Sequence, residues 1–239
     1  MRRAATFVIV ALTLSCSMGT AVNVTRRSAA PTIATSIAPT APTLAPPAPW
    51  GIATIDPTLR AELVGRDWHP GCPVPLANLR AVTVHYVGFD GSTHAGVVVL
   101  NQRVAADVLW VFHRLHRHRF QIRTIKLAGK WHPTRPSDYF DRGDVTSSFN
   151  CRPVTDGTSF SQHSYGWAID INPIQNPYVR NDSTVLNEAA LPYRNRSIDR
   201  PGMIHAGDIV TRSFARIGWG WGGDWITLKD YMHFSLTGR

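Results

Sequence analysis

The chain has 239 residues, 25 lysines and arginines, 16 aspartates and glutamates, and a formal net charge of +9. This length suits one folded domain with extensions, and a hydrophobic content of 44% suits a soluble globular protein with a real core. The positive excess favours acidic surroundings such as anionic lipid, nucleic acid or the anionic polymers of a bacterial envelope. No nucleic-acid-binding motif is present, so we expect no nucleic-acid partner. A basic surface that only aids solubility is the alternative.

Residues 1–21 have the features of a secretory signal peptide. A charged start precedes an apolar run from Ala4 to Leu14, which is too short to span a bilayer stably. Gly19-Thr20-Ala21 offers an ordinary cleavage site, whereas Leu14-Ser15-Cys16 weakly resembles a lipoprotein site. We therefore predict a secreted or cell-envelope protein, and a lipid anchor at Cys16 is the alternative that would add a membrane contact.

Residues 22–49 have the composition of an unstructured tether. They are rich in Ala, Thr, Ser and Pro and contain no aromatic residue. A segment of this kind buries too little apolar surface to order itself. The sequence therefore predicts a disordered linker at 22–49 and one folded catalytic domain at 50–239.

The folded region mixes strand and helix patterns. Alternating apolar residues at 82–86 and a β-rich run at 96–100 predict an antiparallel hairpin. Apolar residues at helical spacing predict helices at 102–116, capped by Asn101, and at 208–217. Because no regular β-α-β alternation follows, we predict an α+β fold in which a small antiparallel sheet is flanked by helices.

Two further patterns concern polar residues. Ile169 and Ile171 bracket Asp170 in a strand pattern, which points Asp170 away from two core residues. His233 likewise lies on the face opposite its apolar neighbours in the last strand. The polar stretch from Lys130 to Thr146 shows no sustained period and predicts a long surface loop.

Two distant segments supply two imidazoles and two carboxylates. His163 and Asp170 are separated by a turn at Gly166, and Asp230 and His233 follow near the C-terminus. Three nitrogen or oxygen ligands, an open coordination position and an unligated acid are the components of a hydrolytic zinc site. The alternative for the first pair is a satisfied histidine and a turn-capping aspartate. The alternative for the second pair is two polar surface residues at the entry of a strand.

The order of three motifs resembles a known family. S-x-H-x-x-G-x-A-x-D lies at 161–170, G-W-x-W-G-G-x-W at 218–225 and D-x-x-H-F at 230–234. This set resembles the zinc D-alanyl-D-alanine carboxypeptidases and their relatives, the vancomycin-resistance dipeptidases and carboxypeptidases and the L-alanyl-D-glutamate endolysins. The likeness covers most of Trp50–Arg239 and is strongest from Asn150 onward.

The resemblance implies a role for each matching residue. His163, Asp170 and His233 would ligate Zn²⁺, and Asp230 would be the general base. Ser161 matches a serine that helps to hold the substrate in relatives. Arg152 would steady the oxyanion or a substrate carboxylate, although it lies closer to the metal motif than the corresponding arginine of the dipeptidases.

From this resemblance we expect an exported zinc metallopeptidase that acts on peptidoglycan stem peptides as a monomer. The first hypothesis is a D-alanyl-D-alanine carboxypeptidase. An endopeptidase that cuts between L-Ala and D-Glu, or at cross-links, is an alternative, because the endolysin branch also has aspartate at the position of Asp230. A wall-binding module without turnover is the alternative from another class.

Two other features carry predictions. Once Cys16 leaves with the signal or takes lipid, Cys72 and Cys151 remain to form one disulfide in an oxidising compartment. The tryptophans at 219, 221 and 225 directly precede the predicted base, and we expect them to line a substrate cleft. The alternative is that they cover an edge of the core.

Overall fold

The computed structural model describes residues 48–129, 144–155 and 157–239. The predicted signal peptide and nearly all of the predicted linker lie outside these ranges. So does most of the predicted loop, of which the described part is 144–146. No helix in the described ranges combines the length and apolar character needed to cross a membrane.

Short strands and helices alternate irregularly along the described chain. In chain order they are β1 (Gly51–Thr54), α1 (Pro57–Leu63), β2 (Leu79–Val87), β3 (Thr93–Asn101), α2 (Ala105–Arg117), β4 (Ala168–Asp170), β5 (Tyr178–Val179), α3 (Ile209–Arg216), β6 (Gly220–Trp221), β7 (Lys229–Asp230) and β8 (His233–Ser235). Short 3₁₀ helices connect several of them, including Gln162–Tyr165 before β4.

All pairings between these strands are antiparallel. One sheet has the order β1-β2-β3, a second has the order β4-β8-β6, and β5 pairs with β7 alone. The β2–β3 hairpin is the one that the alternation at 82–86 and 96–100 predicts. The α+β prediction is therefore confirmed, with the sheet divided into small parts.

The main core lies where α2 packs on β2, and it extends to the second sheet. Val108 and Phe112 of α2, Val84 of β2 and Phe214 of α3 are completely buried in one cluster. Phe234 of β8 belongs to the same cluster and stacks on Phe214, with ring centroids 4.1 Å apart. The core therefore fixes β8, the strand that carries the predicted ligand His233 next to Phe234.

The start of α2 differs from the prediction. The helix begins at Ala105, and Asn101 is instead the last residue of β3. Its side-chain Oδ1 accepts a hydrogen bond from the Arg103 backbone, and its Nδ2 donates to the Tyr165 carbonyl oxygen at 3.1 Å. The predicted cap is wrong because the amide joins β3 to the turn before β4.

Cys72 and Cys151 form the disulfide that the cysteine count predicts. The two residues are 79 positions apart. The bond fastens the loop after α1 to the segment that carries Arg152.

Candidate metal centre

Strand pairing places two predicted ligands side by side. In the β4–β8 ladder Asp170 is directly opposite His233, and Ile169 is opposite Phe234. Residues directly opposite in a ladder share a face, so the two apolar side chains enter the core while the carboxylate and imidazole share the other face. The alternation around Asp170 indicated this arrangement.

A tight turn delivers the third predicted ligand, His163. The residue lies in the 3₁₀ helix Gln162–Tyr165, which ends at Gly166 with φ of +66°. A Cβ atom at Gly166 would lie 2.5 Å from the backbone nitrogen of Asn101, so a side chain there would collide with the end of β3. The glycine therefore permits both the left-handed conformation and the close approach that places His163 over β4.

The three side chains converge on one point. His163 Nε2 lies 3.2 Å from Asp170 Oδ2, and His233 Nδ1 lies 3.0 Å from Asp170 Oδ1. The two imidazole nitrogens are 3.2 Å apart. All three ligand atoms lie within 4.8 Å of one another, so one ion between them could contact all three.

Hydrogen bonding and charge in this cluster fit a cation. His163 Nδ1 donates to the Ser148 carbonyl oxygen at 2.5 Å, and this bond leaves the Nε2 lone pair facing the centre. Burial acts to raise the pKa of Asp170, but the adjacent imidazoles of His163 and His233 outweigh it and lower that pKa below its usual range. Two imidazoles and an ionised carboxylate form a donor set typical of zinc.

Asp230 lies beside this cluster, and its pKa is shifted in the opposite direction to that of Asp170. Its Oδ1 is buried and has no hydrogen-bond partner among the described residues. Burial, followed by the charge of Asp170, raises the pKa of Asp230 to about 7, while His233 and Arg152 oppose the rise. A carboxylate with an unused acceptor atom and a pKa near neutrality has the properties of a general base.

The glycine and tryptophan motif positions Asp230. A Cβ atom at Gly222 would lie 2.5 Å from the Asp230 carbonyl oxygen, and Trp221 Nε1 donates to the Tyr231 carbonyl oxygen at 2.9 Å. Trp219 and Trp221 are only 4% and 8% exposed and belong to the core. The prediction of a cleft lining is wrong for Trp219 and Trp221, because they pack against Phe214 and Phe234 in the core. Trp225 is half-buried with its ring centroid 5.5 Å from that of His233, and its cleft contact stays a prediction.

A cleft of about 590 Å³ opens over the centre, with Asp170 and Asp230 in its lining. Ligand pockets of drug-sized molecules span about 300–1,000 Å³, so the cleft has room for a short peptide. Arg152 also lines it, and its backbone nitrogen donates to Ser164 Oγ at 2.9 Å, which ties it to the helix of His163. The location is compatible with the predicted oxyanion role, which stays a prediction.

Ser161 has a structural contact that its predicted role did not include. It is 5% exposed, and its Oγ accepts a hydrogen bond from the His163 backbone nitrogen at 3.3 Å. It is not among the described residues that line the cleft. The substrate contact inferred for Ser161 stays a prediction, while its N-cap position supports the ligand.

Sequence reasoning missed several supporting residues. The Ser148 carbonyl oxygen orients His163, Asn101 anchors the preceding turn, and Gly222 admits Asp230. The pair Gly222-Gly223, which precedes β7, could have indicated that another part of the backbone packs closely at Gly222. A backbone carbonyl gives no signal in residue type, so the contact of Ser148 could come only from the fold.

Comparison with known proteins supports this site. Residues 155–236 match a family described as D-alanyl-D-alanine carboxypeptidase. No curated protein and no solved structure matches the chain. The matched segment contains His163, Asp170, Asp230 and His233, whereas Arg152 lies before it. The match confirms the resemblance to a zinc D,D-carboxypeptidase-like family. It supports a metallopeptidase of the kind that acts on peptidoglycan.

Proposed function

We propose that the protein is an exported zinc metallopeptidase that removes the terminal D-alanine from peptidoglycan stem peptides. The observation that supports this most directly is the convergence of His163, Asp170 and His233 beside Asp230. The family match adds the class of substrate. The signal-like start and the net charge of +9 favour work among the anionic polymers of an envelope.

In this proposal His163 and His233 would hold zinc through Nε2 and Nδ1, the nitrogens that face Asp170, and Asp170 would hold it through its carboxylate. When bound, zinc supplies a Lewis acid for the scissile carbonyl and activates the attacking water. Asp230 would accept a proton from the attacking water and then donate it to the leaving amine as the peptide C–N bond breaks, a reversal that its raised pKa favours. Arg152, whose charge already acts on Asp230, is placed to stabilise the negative charge that develops on the carbonyl oxygen.

An endopeptidase that cleaves within the stem peptide or at a cross-link is the second candidate. The cleft supports it because a volume of about 590 Å³ is that of a pocket for a drug-sized ligand, which is larger than a terminal dipeptide. The aspartate at position 230, which the resemblance connects to the endolysin branch, supports it as well.

Product analysis separates these candidates. We expect purified mature protein to contain about one zinc ion per chain, in keeping with one ligand set of this type. On purified muropeptides it should release free D-alanine, which mass spectrometry detects as loss of one terminal residue. Internal cleavage would give two peptide fragments and select the endopeptidase. Absence of zinc together with unchanged muropeptides would contradict the whole proposal.

The pKa of Asp230 predicts how the rate depends on pH. Because its raised pKa of about 7 keeps the carboxyl protonated in acid, kcat/KM should increase as pH rises toward 7. The positive charge of zinc favours the ionised form, so the midpoint in the zinc enzyme should lie below 7. Zinc content must be measured at each pH to separate metal loss from proton loss. A kcat/KM that does not fall at any acidic pH at which zinc is retained would contradict the role of Asp230.

A further inference from the structure

Three cationic residues, which we call the cationic wall, are among those that line the cleft. Arg66 follows α1, and Arg152 follows Cys151 of the disulfide. Lys126 follows Ile125, which forms an isolated β-bridge with Thr146. Each comes from a different segment. Glu62, Asp170 and Asp230 are the carboxylates among the described residues that line the same cleft.

A buried carboxylate, Asp67, holds the three segments together. Asp67 is fully buried, and its Oδ2 accepts from the Gly129 backbone nitrogen at 3.1 Å. Its Oδ1 accepts from Asn150 Nδ2 at 3.4 Å, and its carbonyl oxygen accepts from the Cys151 backbone nitrogen at 2.8 Å. Together with the disulfide, these bonds fix the backbones next to all three cations, so the cationic wall is built into the fold.

Arg66 and Lys126 are not neutralised within the described structure. Both residues are exposed, and neither side chain makes a hydrogen bond or ion pair with a described residue. Arg152 is one of the charges that act on Asp230, whereas Arg66 and Lys126 are not. Neither Arg66 nor Lys126 makes a hydrogen bond or an ion pair with Asp170 or Asp230, the two carboxylates of the centre that line the same cleft.

Unpaired cations in a concave site attract anions more strongly than the same charges on an open surface, because the low-dielectric walls focus the field. A guanidinium and an ammonium recognise carboxylates through charge-assisted hydrogen bonds. A peptide bound over the metal centre would extend along the cleft. Its side chains or branch carboxylates would then meet this wall at a distance from the scissile bond.

We propose that Arg66 and Lys126 form a carboxylate-binding subsite that selects stem peptides with a free carboxylate on a residue away from the scissile bond. The proposal rests on the proposed function, because it concerns the substrate of the same cleft. It predicts that a substrate in which this carboxylate is an amide is a poorer one.

The test uses two pentapeptides that differ at one group. One is L-Ala-γ-D-Glu-L-Lys-D-Ala-D-Ala, and the other has the D-Glu α-carboxylate replaced by its amide. The zinc-loaded wild type should show about a tenfold higher kcat/KM for the acid, mainly through KM, since the subsite is remote from the reaction. In the double variant Arg66→Gln/Lys126→Gln this ratio should fall to about one, with turnover of the amide unchanged.

A matched control separates the subsite from net charge. The double variant Arg103→Gln/Arg117→Gln also removes two positive charges, but from exposed positions outside the cleft lining. It should keep the preference for the acid. Equal kcat/KM of wild type for acid and amide would overturn the subsite and leave the peptidase assignment intact. A preference for the acid that persists in Arg66→Gln/Lys126→Gln would overturn the subsite as well.

A binding measurement keeps the two proposals distinguishable. If wild type cleaves neither pentapeptide, the proposed reaction fails for this substrate, and calorimetric titration of zinc-loaded Asp230→Ala protein with both peptides decides the subsite. Tighter binding of the acid, lost in Asp230→Ala/Arg66→Gln/Lys126→Gln, would support it. Equal affinity for the acid and the amide would overturn it.

Discussion

Replacement of Asp230 by asparagine should abolish peptide cleavage and leave the zinc site intact. The amide keeps the size of the side chain but cannot accept a proton from water, so kcat should fall by about 10²–10⁴-fold. His163, Asp170 and His233 are unchanged, and we expect the zinc content to remain that of wild type. Steady-state kinetics on muropeptides and metal analysis of the same samples provide the measurement.

Asp224→Asn is the matched control for this variant. Asp224 is an exposed carboxylate six positions earlier in the same segment, and its replacement should leave kcat within about twofold of wild type, as is usual for surface substitutions. If Asp230→Asn retained wild-type kcat, another group would have to be the base. If wild type and Asp230→Asn were equally inert on every wall substrate, the wall-binding module would become the better explanation.

Replacement of His163 by alanine should remove both zinc and activity. The substitution deletes one of the three predicted ligands and leaves Asp170 facing a single imidazole, so the affinity for zinc should fall and the carboxylate loses a stabilising neighbour. Zinc stabilises the native state by mass action, and added zinc should raise the melting temperature of wild type. In His163→Ala we expect this increase to be absent and cleavage to fall to background.

His118→Ala tests whether loss of any histidine has the same effect. His118 is exposed and distant in sequence from the metal centre, so its replacement should preserve zinc content, the zinc-dependent rise in melting temperature and cleavage. Stoichiometric zinc and wild-type kcat in His163→Ala would show that the metal binds elsewhere. Circular dichroism of each variant separates loss of metal from loss of fold.

The spacing of particular residues made part of the site predictable. Glycine at 166 between His163 and Asp170 indicated a turn, because glycine adopts positive φ without strain, and the structure uses it at φ of +66°. Alternation around Asp170 and around His233 predicted which face each side chain would take. These are local properties with a period of two residues along a strand, and a sequence displays them directly.

Contacts between distant segments were not predictable in the same way. Asn101 is a good helix-capping residue by type, yet the β2–β3 ladder extends through it and its amide binds the turn before β4. The tryptophans at 219 and 221 fit either a cleft or a core by composition, and only packing against Phe214 and Phe234 places them in the core.

The sequence by itself determined the chemical groups of the centre, the α+β class and, with a signal peptide expected at Cys16, the pairing of Cys72 with Cys151. Each of these follows from residue type, local periodicity or count. Only the tertiary structure decided that β4 and β8 pair with Asp170 opposite His233. It also decided that burial brings the pKa of Asp230 to about 7, and that Asp67 joins the segments of Arg66, Lys126 and Arg152. Register, desolvation and uncompensated charge depend on which distant segments exclude water from one another, and no local pattern encodes that.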